Sequence, residues 1–103
     1  MLRLFGNNLA SLRRVKNLTV GQLAERLDCH PSYVTHVEKG RRLPPRAEQF
    51  DRLVTALCAS KDEATQLRQA AIWTVVVNRV EDLGYDRPEV LVHAAATAIF
   101  RPQ

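Results

Sequence analysis

Apolar residues recur at helical spacing in several segments of the chain, and glycine, proline or capping residues separate these segments. The first segment predicts a helix from Leu4 to Val15, with Leu9 on its apolar stripe. Basic residues follow at its C-terminal end, where they suit the negative end of the helix dipole. Gly6 disfavours an early start, so either Asn7 or Asn8 could be the true cap.

The stretch from Thr19 to Pro45 predicts two short helices joined by a tight turn and followed by a basic loop. Thr19 and Gln22 have the spacing of a capping box, in which each side chain accepts a hydrogen bond from the other residue's backbone N–H. The apolar residues on one face of this helix are Leu23, Ala24 and Leu27. The helix is expected to end near Leu27.

A turn and a second helix follow. Asp28 and Cys29 form the predicted turn, and Pro31 keeps the preceding His30 out of the helical conformation while suiting the first turn of a new helix. Gly40 ends this second helix as a left-handed cap.

The second helix is expected to be two-sided. Val34 and Val37 face the first helix of the pair and join the core. The residues left for solvent or a ligand are Ser32, Tyr33, Thr35, His36 and Lys39.

Two further helices are predicted before residue 84. One runs from about Arg46 to Leu57 and buries Phe50, Leu53, Val54 and Leu57. The other begins at a second capping box, formed by Ser60 and Glu63, and runs to Leu83. Its apolar stripe consists of Leu67, Ala70, Trp73, Val77 and Val80.

Residues 74–80 leave an alternative open. Consecutive β-branched residues favour a strand, so the helix could break near Trp73 and a strand could pair with its copy in a second chain. A continuous helix is preferred. After Gly84, Asp86 and Pro88 predict a last helix to about Phe100, with a small apolar face.

The central stretch resembles the Cro and phage-repressor type of helix-turn-helix, the lambda-repressor-like fold, over about residues 7–58. The residues that carry this resemblance are Thr19, Leu23, Ala24, Cys29, Val34, Val37, Glu38, Gly40, Arg41 and Pro44. It implies an all-α helix-turn-helix bundle with a C-terminal helical extension. Two departures stand out: Val20 replaces a glutamine that often touches phosphate, and Pro31 replaces a residue that is often polar.

Composition and charge agree with a nucleic-acid partner. The 103 residues are 46% apolar and 25% charged, as in an ordinary globular domain. Residues 1–60 carry a net charge of +5 and residues 61–103 a net charge of −1. A basic half suits a polyanion, because neutralising phosphates releases condensed counterions. We therefore expect a DNA-binding domain over residues 1–60 and a C-terminal extension, used for dimerisation, over residues 61–103.

Other classes of function find little support. No apolar run is long enough to span a bilayer and no secretory signal is visible, so the expected location is cytoplasmic, associated with the nucleoid. A metal site built from Cys29, His30 and His36 would lack a fourth ligand, and lone thiols are the preferred interpretation. No catalytic motif is present, and neither an enzymatic activity nor a cofactor is expected.

The resemblance implies which side chains meet double-stranded DNA. Base reading is assigned to the exposed part of the second helix, namely Ser32, Tyr33, Thr35 and His36. Phosphate contacts are assigned to Arg13, Arg14, Lys39, Arg41 and Arg42. Glu38 is expected to anchor the loop through a charge-assisted bond, because a carboxylate facing phosphate would repel it.

The apolar surface after residue 60 predicts an interface between two copies of the chain. Its predicted residues are Trp73, Val77, Val80, Leu91, Ala95 and Ile99. The expected function is a homodimeric repressor that binds a near-palindromic operator, autoregulates and belongs to a phage, plasmid or other mobile element. The alternative is an antitoxin-like module whose C-terminal helices hold a partner protein.

Overall fold

The structure, a computed structural model, describes residues 4–83, and every regular element in that range is a helix. The five helices are α1 (Leu4–Val15), α2 (Val20–Arg26), α3 (Pro31–Glu38), α4 (Ala47–Ala56) and α5 (Lys61–Asp82). The all-α prediction is confirmed, and the five helices predicted before residue 84 are present within a residue or two of the expected bounds. The helix predicted over residues 86–100 lies outside the described residues.

Both predicted capping boxes are present. Thr19 Oγ1 accepts from the N–H of Gln22 at 3.1 Å, and Gln22 Oε1 accepts from the N–H of Thr19 at 2.9 Å. Ser60 and Glu63 repeat the pattern at the start of α5, at 3.1 and 2.8 Å. Each box satisfies two backbone donors that a helix start leaves unpaired, which fixes where α2 and α5 begin.

Residues 74–80 are helical, and the strand alternative is wrong. One face of α5 packs against α1, where Leu67 and Val77 are fully buried. Thr74 is 5% exposed, and its hydroxyl accepts from the N–H of Phe5 at 3.0 Å while donating to the carbonyl of Ala70 at 2.9 Å. Helical burial against α1 therefore outweighs the local strand preference of the β-branched residues.

This packing also corrects the predicted stripe of α5. The buried residues are Leu67, Ala70, Thr74 and Val77, while Trp73 and Val80 are half-buried at the flanks. The polar Thr74 lies in the middle of this buried face, where its hydroxyl accepts from the free N–H of Phe5 in the first turn of α1.

Gly6 lies inside α1, so the capping roles suggested for Asn7 and Asn8 are wrong. A Cβ atom on Gly6 would lie 2.2 Å from the carbonyl oxygen of Glu38 and 2.7 Å from that of Val37. Helix α1 therefore crosses the C-terminal end of α3 at a distance that only glycine permits.

The core joins all five helices. Its buried members are Phe5, Leu9, Leu18, Leu23, Ala24, Val34, Val37, Phe50, Leu53, Ala56, Leu57 and Leu67. Helices α2 and α4 also hold each other's ends: Arg26 Nη1 donates to the carbonyl of Ala56 at 2.8 Å, and Arg52 Nη2 donates to that of Leu27 at 3.4 Å. Each arginine thus satisfies a carbonyl that a helix end leaves free.

Candidate nucleic-acid interface

The turn between α2 and α3 sets the angle of the candidate reading helix. Asp28 adopts the left-handed conformation with φ 54°, and the N–H of Cys29 returns to the carbonyl of Ala24 at 3.0 Å. Cys29 is half-buried against the core, and burial raises the pKa of its thiol, with the Asp28 carboxylate acting in the same direction. The predicted apolar turn position is therefore filled by a neutral thiol.

Helix α3 begins as expected. His30 is its N-cap in extended conformation, Pro31 occupies the first helical position, and His30 Nδ1 accepts from the N–H of Ser32 at 3.1 Å. The Ser32 hydroxyl lies 2.8 Å from the same nitrogen. When Nδ1 is unprotonated, the backbone N–H and the hydroxyl share its single lone pair, and the hydroxyl oxygen keeps its own lone pairs for an outside donor. His30 thus precedes the helix, as expected from Pro31, and its side chain also caps the first turn.

The outer side of α3 carries a strip of polar residues. Val34 and Val37 are 1% and 2% exposed and define the buried side. At 100° per residue, the directions opposite to these valines belong to four residues, which we term the reading strip. The reading strip consists of Ser32, Thr35, His36 and Lys39, of which Ser32 and Lys39 are exposed and the other two are half-buried.

Tyr33 is not part of this strip. Its ring packs against the core from the side of α3, and burial raises the pKa of its phenol. The guanidinium of Arg42 lies over the ring, 5.2 Å from its centroid. The structure thus brings together three of the four predicted base readers and places Tyr33 beside them as a platform for an arginine.

The segment after α3 presents three cations. Gly40 has φ 73°, its N–H donates to the carbonyl of Val37 at 3.1 Å, and the N–H of Arg41 donates to that of His36 at 2.8 Å. These two bonds form a Schellman motif, which confirms the predicted glycine cap. Lys39, Arg41 and Arg42 are exposed around this turn; Lys39 is the last member of the reading strip, and the two arginines follow it.

The C-terminal end of α1 supplies one exposed arginine and one buried arginine. Arg13 is 9% exposed; its Nε and Nη2 donate to the two carboxylate oxygens of Glu38 at 2.7 and 3.1 Å, and its Nη1 donates to the carbonyl of Leu18 at 2.8 Å. The hydrogen bond to Glu38 raises the pKa of Arg13. The assignment of Arg13 to phosphate is therefore corrected, because its side chain is 10% exposed and three of its five N–H donors are bound inside the protein, whereas Arg14 is exposed.

This ion pair gives Glu38 the anchoring role that was expected of it. Its partner, however, is Arg13 on α1 and not a group of the loop after α3. Glu38 ends α3, so its bidentate bond fixes that end of the reading helix to α1. Sequence reasoning missed the pairing because 25 residues separate the two side chains.

The predicted dimer residues are split by the structure. Val77 is 0% exposed inside the packing of α5 on α1, so it is unable to contact a second chain. Trp73 and Val80 are half-buried, and Leu91, Ala95 and Ile99 lie outside the described residues. The apolar side chains that α5 does expose are Ile72, Val75 and Leu83, at 43%, 46% and 56%. Ile72 and Leu83 lie opposite Leu67 and Thr74 on a helical wheel, so helical periodicity could have indicated them, whereas Val75 lies at the side of the buried face.

Among residues 4–83, no group of three or more His, Cys, Asp or Glu side chains is placed to hold a metal ion. No helix in the same range is both long and apolar enough to cross a membrane.

Comparison with known proteins places the helices in a family. No curated protein matches this chain, and no solved structure matches it. The family model described as a helix-turn-helix domain matches residues 4–67, which include α1 to α4 and the first turns of α5. With this match covering more than half of its length, the chain belongs to the helix-turn-helix domain family, a general family of DNA-binding domains.

Proposed function

We propose that this protein is a sequence-specific transcriptional regulator, most simply a homodimeric repressor that binds a near-palindromic operator. The observation that carries the proposal is the reading strip on α3, held by the turn on one side and by Glu38 on the other, with exposed cations around its end. Autoregulation and an origin in a phage, plasmid or other mobile element belong to the same proposal and are supported by the resemblance alone.

In this proposal α3 enters the major groove, as reading helices of this type do. Ser32 offers an acceptor to the amino group of adenine or cytosine, and His36 and Thr35 reach neighbouring base edges. Lys39, Arg41 and Arg42, with Arg14 across the interface, hold the phosphates on either side. Tyr33 contributes through Arg42 rather than by touching a base.

The helix α5 supports pairing of two copies. Ile72 and Val75 are exposed apolar residues on α5, and the exposed Leu83 follows directly after it. A single reading helix contacts few base pairs, so symmetric pairing would give the specificity that one α3 lacks. The division into a DNA-binding part over residues 1–60 and a dimerising part from residue 61 is part of this proposal, although Leu67 shares the core with α1.

The first experiment is selection of bound duplexes from a random DNA pool at a fixed salt concentration, followed by sequencing. We expect two inverted half-sites whose centres lie about one helical turn apart. A pool without enrichment would refute the sequence-specific regulator, and a single half-site would refute the dimeric form.

Salt dependence tests the phosphate contacts. Arg41→Gln and Arg42→Gln should each weaken binding to all duplexes and lower the slope of log affinity against log salt by roughly one unit. Arg79→Gln, which removes an exposed charge on α5, is the matched control and should leave the slope unchanged. Equal slopes for all four proteins would contradict this docking.

The exposed apolar residues of α5 also support the alternative, an antitoxin-like module whose C-terminal helices bind a partner protein, because the same surface would suit such a partner. Sedimentation of the purified protein separates the two. We expect a dimer that Ile72→Ser and Val75→Ser convert to a monomer. A monomeric wild-type chain, particularly one encoded beside a small toxin-like gene, would favour the alternative.

A further inference from the structure

An open groove of about 700 Å³ lies between the α2–α3 turn, the loop that follows α3 and helix α4. Ligand sites in proteins commonly measure roughly 300–1,000 Å³, so this volume suits a small molecule. The apolar part of its lining that a ligand can reach includes the exposed Leu43 and the half-buried Leu27, and the half-buried Tyr33 also borders it.

The polar part of the lining is strongly basic. Arg41, Arg42, Arg46 and Arg52 all border the groove, whereas Asp28 is the one acidic residue on its wall in the described part of the chain. Among residues 4–83, none of these arginines has a carboxylate within ion-pair distance, whereas Arg13, Lys16 and Arg68 each have one. Positive charge is thus concentrated where an apolar surface is also accessible.

We propose that this groove binds a small amphipathic anion, with a carboxylate or sulfonate head and a flat apolar body. The head would lie against Arg46 and Arg41, because guanidinium groups bind such oxygens through charge-assisted hydrogen bonds. The body would cover the exposed Leu43 and the half-buried Leu27, which a phosphate backbone has no apolar group to cover. A DNA strand therefore uses the arginines of this groove but leaves its apolar floor unused.

Occupancy would act on DNA binding, and this part rests on the proposed function. Arg41 and Arg42 border the groove and are also the proposed phosphate contacts, so an anion in the groove and a DNA phosphate compete for the same guanidinium groups. The anion would thus be an antagonist. Coupling between two ligands is reciprocal, so each must lower the affinity of the other by the same factor.

The binding step is tested with 8-anilinonaphthalene-1-sulfonate, a flat amphipathic anion whose fluorescence rises in apolar surroundings. We expect saturable 1:1 binding to the full chain and much weaker binding of the neutral N-phenyl-1-naphthylamine. Arg46→Gln should weaken sulfonate binding about tenfold, the loss expected for one charge-assisted hydrogen bond. Arg79→Gln, an equal change of charge on α5, should have no such effect.

Thermal unfolding of each variant confirms that it is folded, and Leu43→Ser provides a second test. Leu43 is 55% exposed at the rim of the groove, so its replacement should weaken the probe without unfolding the protein. Equal affinity of the wild type, Arg46→Gln and Leu43→Ser would place the probe elsewhere and overturn the proposed site. Equal binding of the neutral analogue would overturn its anionic character.

The regulatory step is tested with a fluorescein-labelled duplex at constant ionic strength, with methanesulfonate replacing the probe in the control. Probe at a concentration near its wild-type Kd should lower the DNA affinity of the wild type about twofold, and it should have little effect on Arg46→Gln, which binds the probe about tenfold more weakly. If DNA binds equally well with and without bound probe, the antagonist role is refuted while the proposed function stands. If no duplex binds at all, the proposed function fails, and the probe titration still decides whether the groove is a site.

Discussion

Gly6→Ala tests the closest approach in the fold, where α1 crosses the end of the reading helix. In the interior of a helix, alanine is ordinarily more stable than glycine by about 0.5–1 kcal/mol. Here the new methyl group would lie 2.2 Å from the carbonyl oxygen of Glu38, whereas ordinary contacts begin at 3.4 Å. The two helices must therefore separate by roughly 1 Å, and overpacking of this kind costs about 1–3 kcal/mol.

The steric cost of the added methyl group exceeds the gain in helix propensity. Taking the middle of the overpacking range, about 2 kcal/mol, and subtracting the helix-propensity gain, we expect Gly6→Ala to lower the free energy of unfolding by about 1–1.5 kcal/mol. Gly21 is the matched control, since a Cβ there would meet only Thr19 Oγ1 at 3.9 Å. Gly21→Ala should therefore leave stability unchanged or raise it by up to about 1 kcal/mol.

Urea denaturation followed by circular dichroism and by the fluorescence of Trp73, the single tryptophan, measures both variants. The same chemical change at two helical glycines should thus shift stability in opposite directions. A Gly6→Ala protein as stable as the wild type would refute the close approach of α1 to α3, because helix propensity alone favours alanine. Separation of the helices should also move Glu38, so a weaker DNA affinity is expected even where the variant is folded.

Three further outcomes are expected. Arg13→Met leaves the Glu38 carboxylate unpaired where its side chain is 10% exposed, so a urea titration should find the free energy of unfolding lowered by about 3 kcal/mol. The double variant with Glu38→Gln should recover part of this loss. A single variant as stable as the wild type would contradict the importance of this ion pair. The pKa of Glu63 is lowered mainly by the hydrogen bond from the N–H of Ser60 and next by Lys16. Its ionised form therefore stabilises the fold above the unfolded pKa of about 4.3, and this stability is lost as pH falls through the lower folded pKa. Glu63→Gln should flatten the acid side of a plot of unfolding free energy against pH, and an unchanged profile would count against these contacts. Cys58 is exposed, whereas burial raises the pKa of the Cys29 thiol in the α2–α3 turn. Mass spectrometry after brief treatment with iodoacetamide at pH 8 should therefore find Cys58 modified first. The reverse order would show that the α2–α3 turn is open.

Local signals in the chain determined the helices and their order. Thr19 with Gln22, and Ser60 with Glu63, satisfy free N–H groups within four residues of chain, so the sequence alone locates the starts of α2 and α5. Pro31 and Gly40 act through their own backbone preferences and bound α3 in the same way. The valines that face inward from α3 followed from helical periodicity.

The tertiary structure decided which polar and apolar side chains are available to a partner. Arg13 and Arg14 are neighbours of the same type, yet one is buried against Glu38 and the other is exposed, because the crossing of α1 over α3 selects between them. Val77 likewise passed from the predicted dimer surface to the core once α5 packed on α1.

Distance along the chain is the physical reason for this division. A capping bond or a periodic face joins residues a few positions apart, so it can be inferred from the sequence alone. Thr74 binds the N–H of Phe5 across 69 residues, and Arg42 lies over Tyr33 only because the loop folds back on the side of α3. The helices were therefore determined by sequence, whereas the composition of the reading strip and the arginine-lined groove was determined by how those helices pack.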